Sequence, residues 1–133
     1  MPKNGAKVSL DTNIAIAVLN NTRHAGDWIQ EFAEVFLPVP VVGELRFGAI
    51  NSGRPEKNLA RIEAFVASCF VLDIRLNTSD TYSVVRLGLK RKGKPIPEND
   101  VWIAAVCIEH GLSLATSDGH FREVDGLSLA TIF

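Results

Sequence analysis

Of the 15 acidic residues in this 133-residue chain, four stand among apolar neighbours instead of on charged stretches. Asp11 directly follows Val8-Ser9-Leu10, and Glu44 sits inside Val41-Val42-Gly43-Glu44-Leu45. Asp100 opens Asp100-Val101-Trp102-Ile103-Ala104-Ala105, and Asp118 follows Leu112-Ser113-Leu114-Ala115-Thr116-Ser117. If the fold gathers these carboxylates, they repel: two unit charges roughly 4 Å apart cost about 4 kcal/mol at an effective dielectric near 20. Without a counter-ion some would take up protons. A divalent cation removes the conflict, and oxygen ligands without imidazole or thiolate favour Mg²⁺ or Mn²⁺ over zinc. Such ions clamp a phosphodiester and lower the pKa of a bound water, which makes phosphodiester hydrolysis the chemistry to expect. Each acid also has an ordinary role open to it. Asp11 can cap a turn or helix, Asp100 can answer a helix dipole, and Asp118 can close a Ser-Asp-Gly turn. Glu44 is the hardest to explain that way, because a lone carboxylate amid apolar residues needs a partner.

For the four to meet, the elements must carry them to one edge. Short β-like runs alternate with helical stretches, a pattern that predicts an α/β fold with a mainly parallel sheet. Strands are expected at Lys7–Leu10, Val35–Val39, Phe70–Ile74, Leu112–Ala115 and Leu127–Ile132. Helices are expected at Ile14–Asn20, His24–Glu34, Val41–Asn51, from Pro55 to about Cys69, Thr78–Lys92 and Pro97–Glu109. Trp28, Ile29, Phe32 and Ala33 give the second of these one apolar side, and Thr78 or Asn77 is the expected cap of the fifth. Asp11 and Asp118 then lie at strand C-terminal ends, and Glu44 and Asp100 in the first turns of helices. In an open parallel sheet those ends share the edge where ligands bind.

Composition bounds the rest. At 133 residues, 47% apolar and 22% charged, the chain fits one folded domain over residues 1–133. Net charge is −1, so no bulk basic footprint for nucleic acid exists and any such contact must be local. The local candidate is Arg86, Lys90, Arg91, Lys92 and Lys94, five of the 14 basic residues within nine positions. Phosphate-backbone contact needs only such positive charge, although a solvated helix end explains it too. Arg46, two residues from Glu44, is placed to touch RNA or to answer the acids. Cys69 and Cys107 lack a Cys-x-x-Cys partner and read as buried thiols in a reducing compartment. His24, His110 and His120 have no zinc spacing. No run approaches the roughly 20 apolar residues of a membrane span. Lys3 and Lys7 precede an apolar run broken by Asp11 and Asn13, which argues against a signal peptide. A cytoplasmic protein is expected.

The ordered pieces Leu10-Asp11-Thr12-Asn13, Val42-Gly43-Glu44-Leu45-Arg46-Phe47-Gly48-Ala49, Pro97-Glu98-Asn99-Asp100-Val101-Trp102-Ile103-Ala104-Ala105 and Leu114-Ala115-Thr116-Ser117-Asp118-Gly119-His120-Phe121 resemble the PIN-domain family. Within it they resemble the VapC-type toxins of bacterial toxin–antitoxin pairs. Any one piece carries little information; the ordered set, spread over nearly the whole chain, is specific. The resemblance implies a three-layer α/β/α sandwich and a four-acid pocket of Asp11, Glu44, Asp100 and Asp118 holding Mg²⁺ or Mn²⁺. It implies endonucleolytic cleavage of RNA, commonly structured RNA such as tRNA. It also implies a homodimer, inhibition by a cognate antitoxin, and contact with operator DNA only through that antitoxin. It suggests hydroxyl groups near the pocket, for which Thr12, Thr116 and Ser117 qualify, and Asn13 and Asn99 flank two of the acids as orienting groups or simple caps. His120 invites reading as a general base, against the plainer reading of a residue packed in a turn. Trp28 and Trp102 read as core anchors.

Rival chemistries fit less well. A phosphatase with a nucleophilic aspartate after its first strand wants a second aspartate two residues on, where Asn13 stands. A phospho-receiver wants paired early acids and a late lysine near a strand end, and neither is present. A non-catalytic module acting mainly through antitoxin and operator binding keeps the same acids and is separated only by activity.

Overall fold

The fold is described from a computed structural model, over residues 5–133; Met1 to Asn4, Lys3 among them, lie outside the described residues. Strands β1 (Lys7–Leu10), β2 (Glu34–Pro38), β3 (Phe70–Leu72) and β4 (Leu114–Ala115) form one sheet in the order β3-β2-β1-β4. Every neighbouring pair is parallel, with Val8 opposite Val35, Leu37 opposite Val71 and Leu10 opposite Ala115. Parallel neighbours require crossovers, and helices supply them. Between β1 and β2 run α1 (Thr12–Asn20) and α2 (Ala25–Ile29); between β2 and β3 run α3 (Val39–Ile50) and α4 (Pro55–Ala67). Between β3 and β4 run α5 (Leu76–Lys92) and α6 (Glu98–Glu109).

Successive residues of a strand face opposite sides of the sheet. Val8, Ser9 and Leu10 are all fully buried, as are Leu114 and Ala115, so helices cover both faces and the architecture is the expected α/β/α sandwich. Helix α6 is buried at Val101 and at every residue from Ile103 to Cys107. A helix apolar nearly all round belongs inside, and this one fixes the position of Asp100 in its first turn. Burying each large aliphatic side chain of this core contributes about 1.5–3 kcal/mol. Cys107 lies there too; its thiol donates to Ser9 Oγ at 3.4 Å, and burial pushes its pKa up to about 12.

Several expected elements differ. His24–Glu34 is not one helix: Asn21, Arg23 and His24 have φ of 48°, 53° and 62°, which no α-helix tolerates, α2 ends at Ile29, and β2 already begins at Glu34. The pull towards a strand is non-local, since Ala33 and Glu34 donate backbone N–H groups to the Ala6 carbonyl and Lys7 pairs with Glu34 at 3.3 Å. Leu127–Ile132 is not a strand either. A single bridge joins Leu129 to Leu114, while Leu127, Ala130 and Ile132 pack against the core as a loop. Thr78 does not cap α5 from outside. It lies buried inside the first turn, where its hydroxyl accepts the Arg75 N–H at 3.0 Å and donates to Glu109 at 2.6 Å. Glu44 sits in the second turn of α3, not the first, because the helix begins at Val39.

Candidate active site

Asp11 stands where β1 ends and α1 begins. Its backbone N–H continues the β1–β4 ladder to the Ala115 carbonyl at 2.9 Å, and its Oδ1 caps α1 by accepting the Thr12 N–H at 2.9 Å. The cap reading therefore holds for this residue. Continuing that ladder also brings the end of β4 beside it: Thr116 donates its hydroxyl to Asp11 Oδ2 at 2.6 Å and accepts the Asp118 N–H at 3.0 Å. Glu44 reaches the same edge from α3. One of its oxygens accepts the Thr12 hydroxyl and the other accepts the Asn99 amide. Asp100, one residue on from Asn99, follows in the first turn of α6.

His120 joins the remaining two acids. Its Nε2 lies 2.6 Å from Asp100 Oδ2 and its Nδ1 lies 2.7 Å from Asp118 Oδ1. One ligand atom apiece from Asp100, Asp118 and His120 falls within 4.8 Å of the others, a spacing that a single cation can span. The short 3-10 helix Gly119–Glu123 fixes this arrangement: Asp118 caps it by accepting the His120 N–H at 3.3 Å, and buried Phe121 anchors it to the core.

The electrostatics follow from burial. Asp11 is only 6% exposed, and burial, more than any other cause, holds its pKa above the usual carboxylate value. The Thr116 hydroxyl and the Thr12 N–H oppose this, while the charges of Asp100 and Glu44 add to it. Asp100 is raised as well, first by burial, then by Asp118 and Glu44, against the pull of His120. All four acids thus enter one web of like charges. The donor chemistry fits a divalent cation, with one departure from the all-oxygen set expected from sequence: His120 brings ring nitrogens into it.

The other expected residues spread more widely. Asn13 is exposed and accepts the Ser117 backbone N–H at a long 3.5 Å, and Ser117 enters only through that N–H. Arg46 is not turned to the acids but forms a bidentate pair with Glu63 of α4, at 2.7 and 2.9 Å. Arg86 contacts the Tyr82 hydroxyl at 2.7 Å and Glu98 at 3.7 Å, and Lys92 pairs with Asp125 at 2.7 Å. Lys94 pairs with Glu123 at 3.4 Å. Lys90 and Arg91 are exposed and have no ionic partner among the described residues. A cavity of about 340 Å³ lined by Arg86, Leu89, Lys90, Ile96, Glu98 and Val101 lies against the start of α6. His120 is the residue whose position sequence reasoning undervalued; its signal was the spacing Asp118-Gly119-His120 in a turn. Trp102 stacks on Tyr82 at 3.9 Å, and Trp28 packs edge-on against Phe32 and Phe133, so both tryptophans serve packing.

Known proteins resemble this chain in sequence and fold. A PIN domain family model matches residues 8–127. The chain is 32% identical over 114 residues to ribonuclease VapC2 of Haemophilus influenzae, covering 84% of this chain and 86% of that one. It is 33% identical over 126 residues to a tRNA(fMet)-specific endonuclease VapC of Shigella flexneri, covering 91% and 94%. Among solved structures, DNA-bound VapBC from Salmonella typhimurium superposes with a TM-score of 0.85 at 28% identity, over 94% of this chain and 97% of that one. With the parallel sheet, the acid-bearing edge and these likenesses in place, the chain belongs to the PIN-domain family, among its VapC-type members.

Proposed function

We propose that this chain is a metal-dependent endoribonuclease, the toxin of a type II toxin–antitoxin pair, with residues 1–133 acting as one catalytic unit. One observation carries the reading: Asp11, Glu44, Asp100 and Asp118, far apart in sequence, meet at one sheet edge, where burial first and neighbouring acids second raise the pKa of Asp11 and Asp100. A cluster that disfavours its own ionisation has a use for a bound cation. Asp11, Glu44, Asp100 and Asp118 would hold Mg²⁺ or Mn²⁺. When bound, the ion supplies Lewis acidity, polarising the scissile phosphodiester and activating water near neutral pH.

The chain's own groups set the geometry. Thr12 and Asn99 occupy both oxygens of Glu44, and Thr116 fixes Asp11, so these carboxylates are oriented before substrate arrives. Lys90 and Arg91, without ionic partners among the described residues, are the strongest candidates for the phosphate backbone. Arg86 and Lys92 must exchange an existing acidic partner to contribute, and Arg46 is committed to Glu63. Structured RNA such as tRNA is the proposed substrate class, in keeping with the name of the Shigella flexneri relative.

A cognate antitoxin is the proposed partner, and operator DNA is reached through it. A net charge of −1 leaves the chain poorly suited to hold duplex DNA alone. A cavity of about 280 Å³ lined by Ile16, Leu19, Leu45, Ile62 and Arg61 opens onto Glu44, and Phe47 and Ile50 are exposed on the same helix as Glu44. A partner segment there would cover apolar surface and shield the acids together. The deciding experiment maps RNA ends after brief induction of wild type and Asp11→Asn, with purified protein assayed beside it in Mg²⁺, Mn²⁺ and chelator. New ends in wild type alone, lost with chelator, support the reading; equal cleavage by Asp11→Asn, or by wild type in excess chelator, defeats it. A non-catalytic module predicts no new ends in either sample.

A further inference from the structure

We propose that His120 is a nitrogen ligand of the same metal centre, and that it turns this site towards Mn²⁺ and away from Mg²⁺. The inference rests on the metal-site reading above and adds a residue and a selectivity to it. Three observations carry it. First, Nε2 of His120 lies 2.6 Å from Asp100 Oδ2, a carboxylate carried in the first turn of the core helix α6. Second, Nδ1 lies 2.7 Å from Asp118 Oδ1, the carboxylate–imidazole contact that fixes a ring's orientation, so Nε2 and Asp100 Oδ2 are held side by side as two adjacent ligand atoms. Third, the ring is not a loose surface group. Phe121, 1% exposed, pins the next residue in the core, and Asp118 ties the His120 backbone as well as its ring. Among the described residues, Asp100, Asp118 and His120 form the one group of three or more metal-binding side chains with mutually close ligand atoms.

The consequence is chemical. Mg²⁺ demands oxygen, keeps its waters, and gains little from imidazole. First-row transition ions accept nitrogen readily, so a mixed oxygen and nitrogen set separates Mn²⁺ from Mg²⁺ where four carboxylates alone would not. Asp118 has two oxygens: Oδ1 holds the imidazole and the other remains for the ion.

The test reads coordination directly. The full chain is loaded with Mn²⁺ and examined by pulsed electron paramagnetic resonance for nitrogen coupling, with natural-abundance and ¹⁵N-histidine protein. Mn²⁺ and Mg²⁺ affinities are measured by competition for wild type, His120→Ala and His120→Gln. The expected result is a histidine nitrogen coupling that changes with the label and disappears in both variants. The Mn²⁺-over-Mg²⁺ ratio should fall about tenfold or more, as loss of a ligand or its support does elsewhere. Bound Mn²⁺ without that coupling, or an unchanged ratio in a folded variant, overturns the role of His120 and leaves the acid site standing. Failure of wild type to bind Mn²⁺ at all overturns both. If either variant does not fold, the labelled wild-type spectrum alone decides.

Discussion

Asp11→Asn should make the metal-free protein more stable while destroying its activity. Asp11 is buried, and its charge meets those of Asp100 and Glu44. Burial of the charged form is the largest cause of its raised pKa, and the charges of Asp100 and Glu44 add to it against the Thr116 and Thr12 hydrogen bonds. Asparagine keeps the acceptor for the Thr12 N–H and can meet the Thr116 hydroxyl with its amide, but each bond falls from the charged to the neutral class, a loss of about 1 kcal/mol apiece. Because the causes that oppose the charge outweigh the two hydrogen bonds that favour it, neutralising Asp11 should leave a net stabilisation on the order of 1 kcal/mol, the usual size of a single-residue effect, or roughly 3–5 °C in Tm for a domain of this size. The sign with pH follows from the raised pKa. A carboxyl whose folded pKa exceeds its unfolded one contributes stability that is fully present below the unfolded value and is lost as pH rises through the folded value. The advantage of Asp11→Asn should therefore be small near pH 3.5 and grow through the range just above the ordinary carboxylate pKa. Saturating Mn²⁺ should stabilise wild type and narrow or reverse the gap. Calorimetry of both proteins across pH, with and without metal, is the assay. A variant that is less stable at neutral pH, or an advantage that does not change with pH, would refute the electrostatic argument.

Other perturbations separate site from scaffold. Glu44→Gln and Asp100→Asn should each lower RNA cleavage at least a hundredfold in a gel assay, with circular dichroism unchanged. Neutralising Lys90 and Arg91 together should weaken RNA binding and flatten its dependence on salt, while Lys92→Ala should do less because Asp125 already occupies that lysine. Phe121→Ala should cost about 3–5 kcal/mol in denaturant unfolding and loosen metal binding, since Phe121 anchors the turn that carries Asp118 and His120. Thiol labelling of native protein should reach half-buried Cys69 long before Cys107, whose burial shields the thiol and pushes its pKa up to about 12.

The convergence of the acids was legible because it depends on a simple rule: strand C-termini and the starts of crossover helices share one edge of a parallel sheet. Periodicity alone placed Asp11, Asp100 and Asp118 on that edge. What escaped was non-local. The segment after His24 has a helical apolar face, and Trp28, Ile29 and Phe32 do pack inward. Backbone pairing of its far end with Ala6 and Lys7 nonetheless ends the helix and diverts the chain into a strand. Leu127–Ile132 has strand-like composition but meets only one residue of a two-residue strand, too little to build a ladder. The basic run at the end of α5 looked like a phosphate track, yet Asp125 and Glu123, some thirty residues on, claim Lys92 and Lys94. Arg46 likewise answers Glu63 across the α3–α4 hairpin instead of Glu44 beside it in sequence. Charge partners at such separations cannot be read from spacing.

The deep burial of the middle of α6 has a consequence for control. Asp100 rides on the most enclosed helix of the molecule, and the ladder through Asp11 ties another acid to the central strands. Moving either would mean dismantling the interior, at a cost comparable to unfolding. Restraint must therefore come from outside, from something laid over the edge and taken away again. Once uncovered, the chain has nothing left to rearrange.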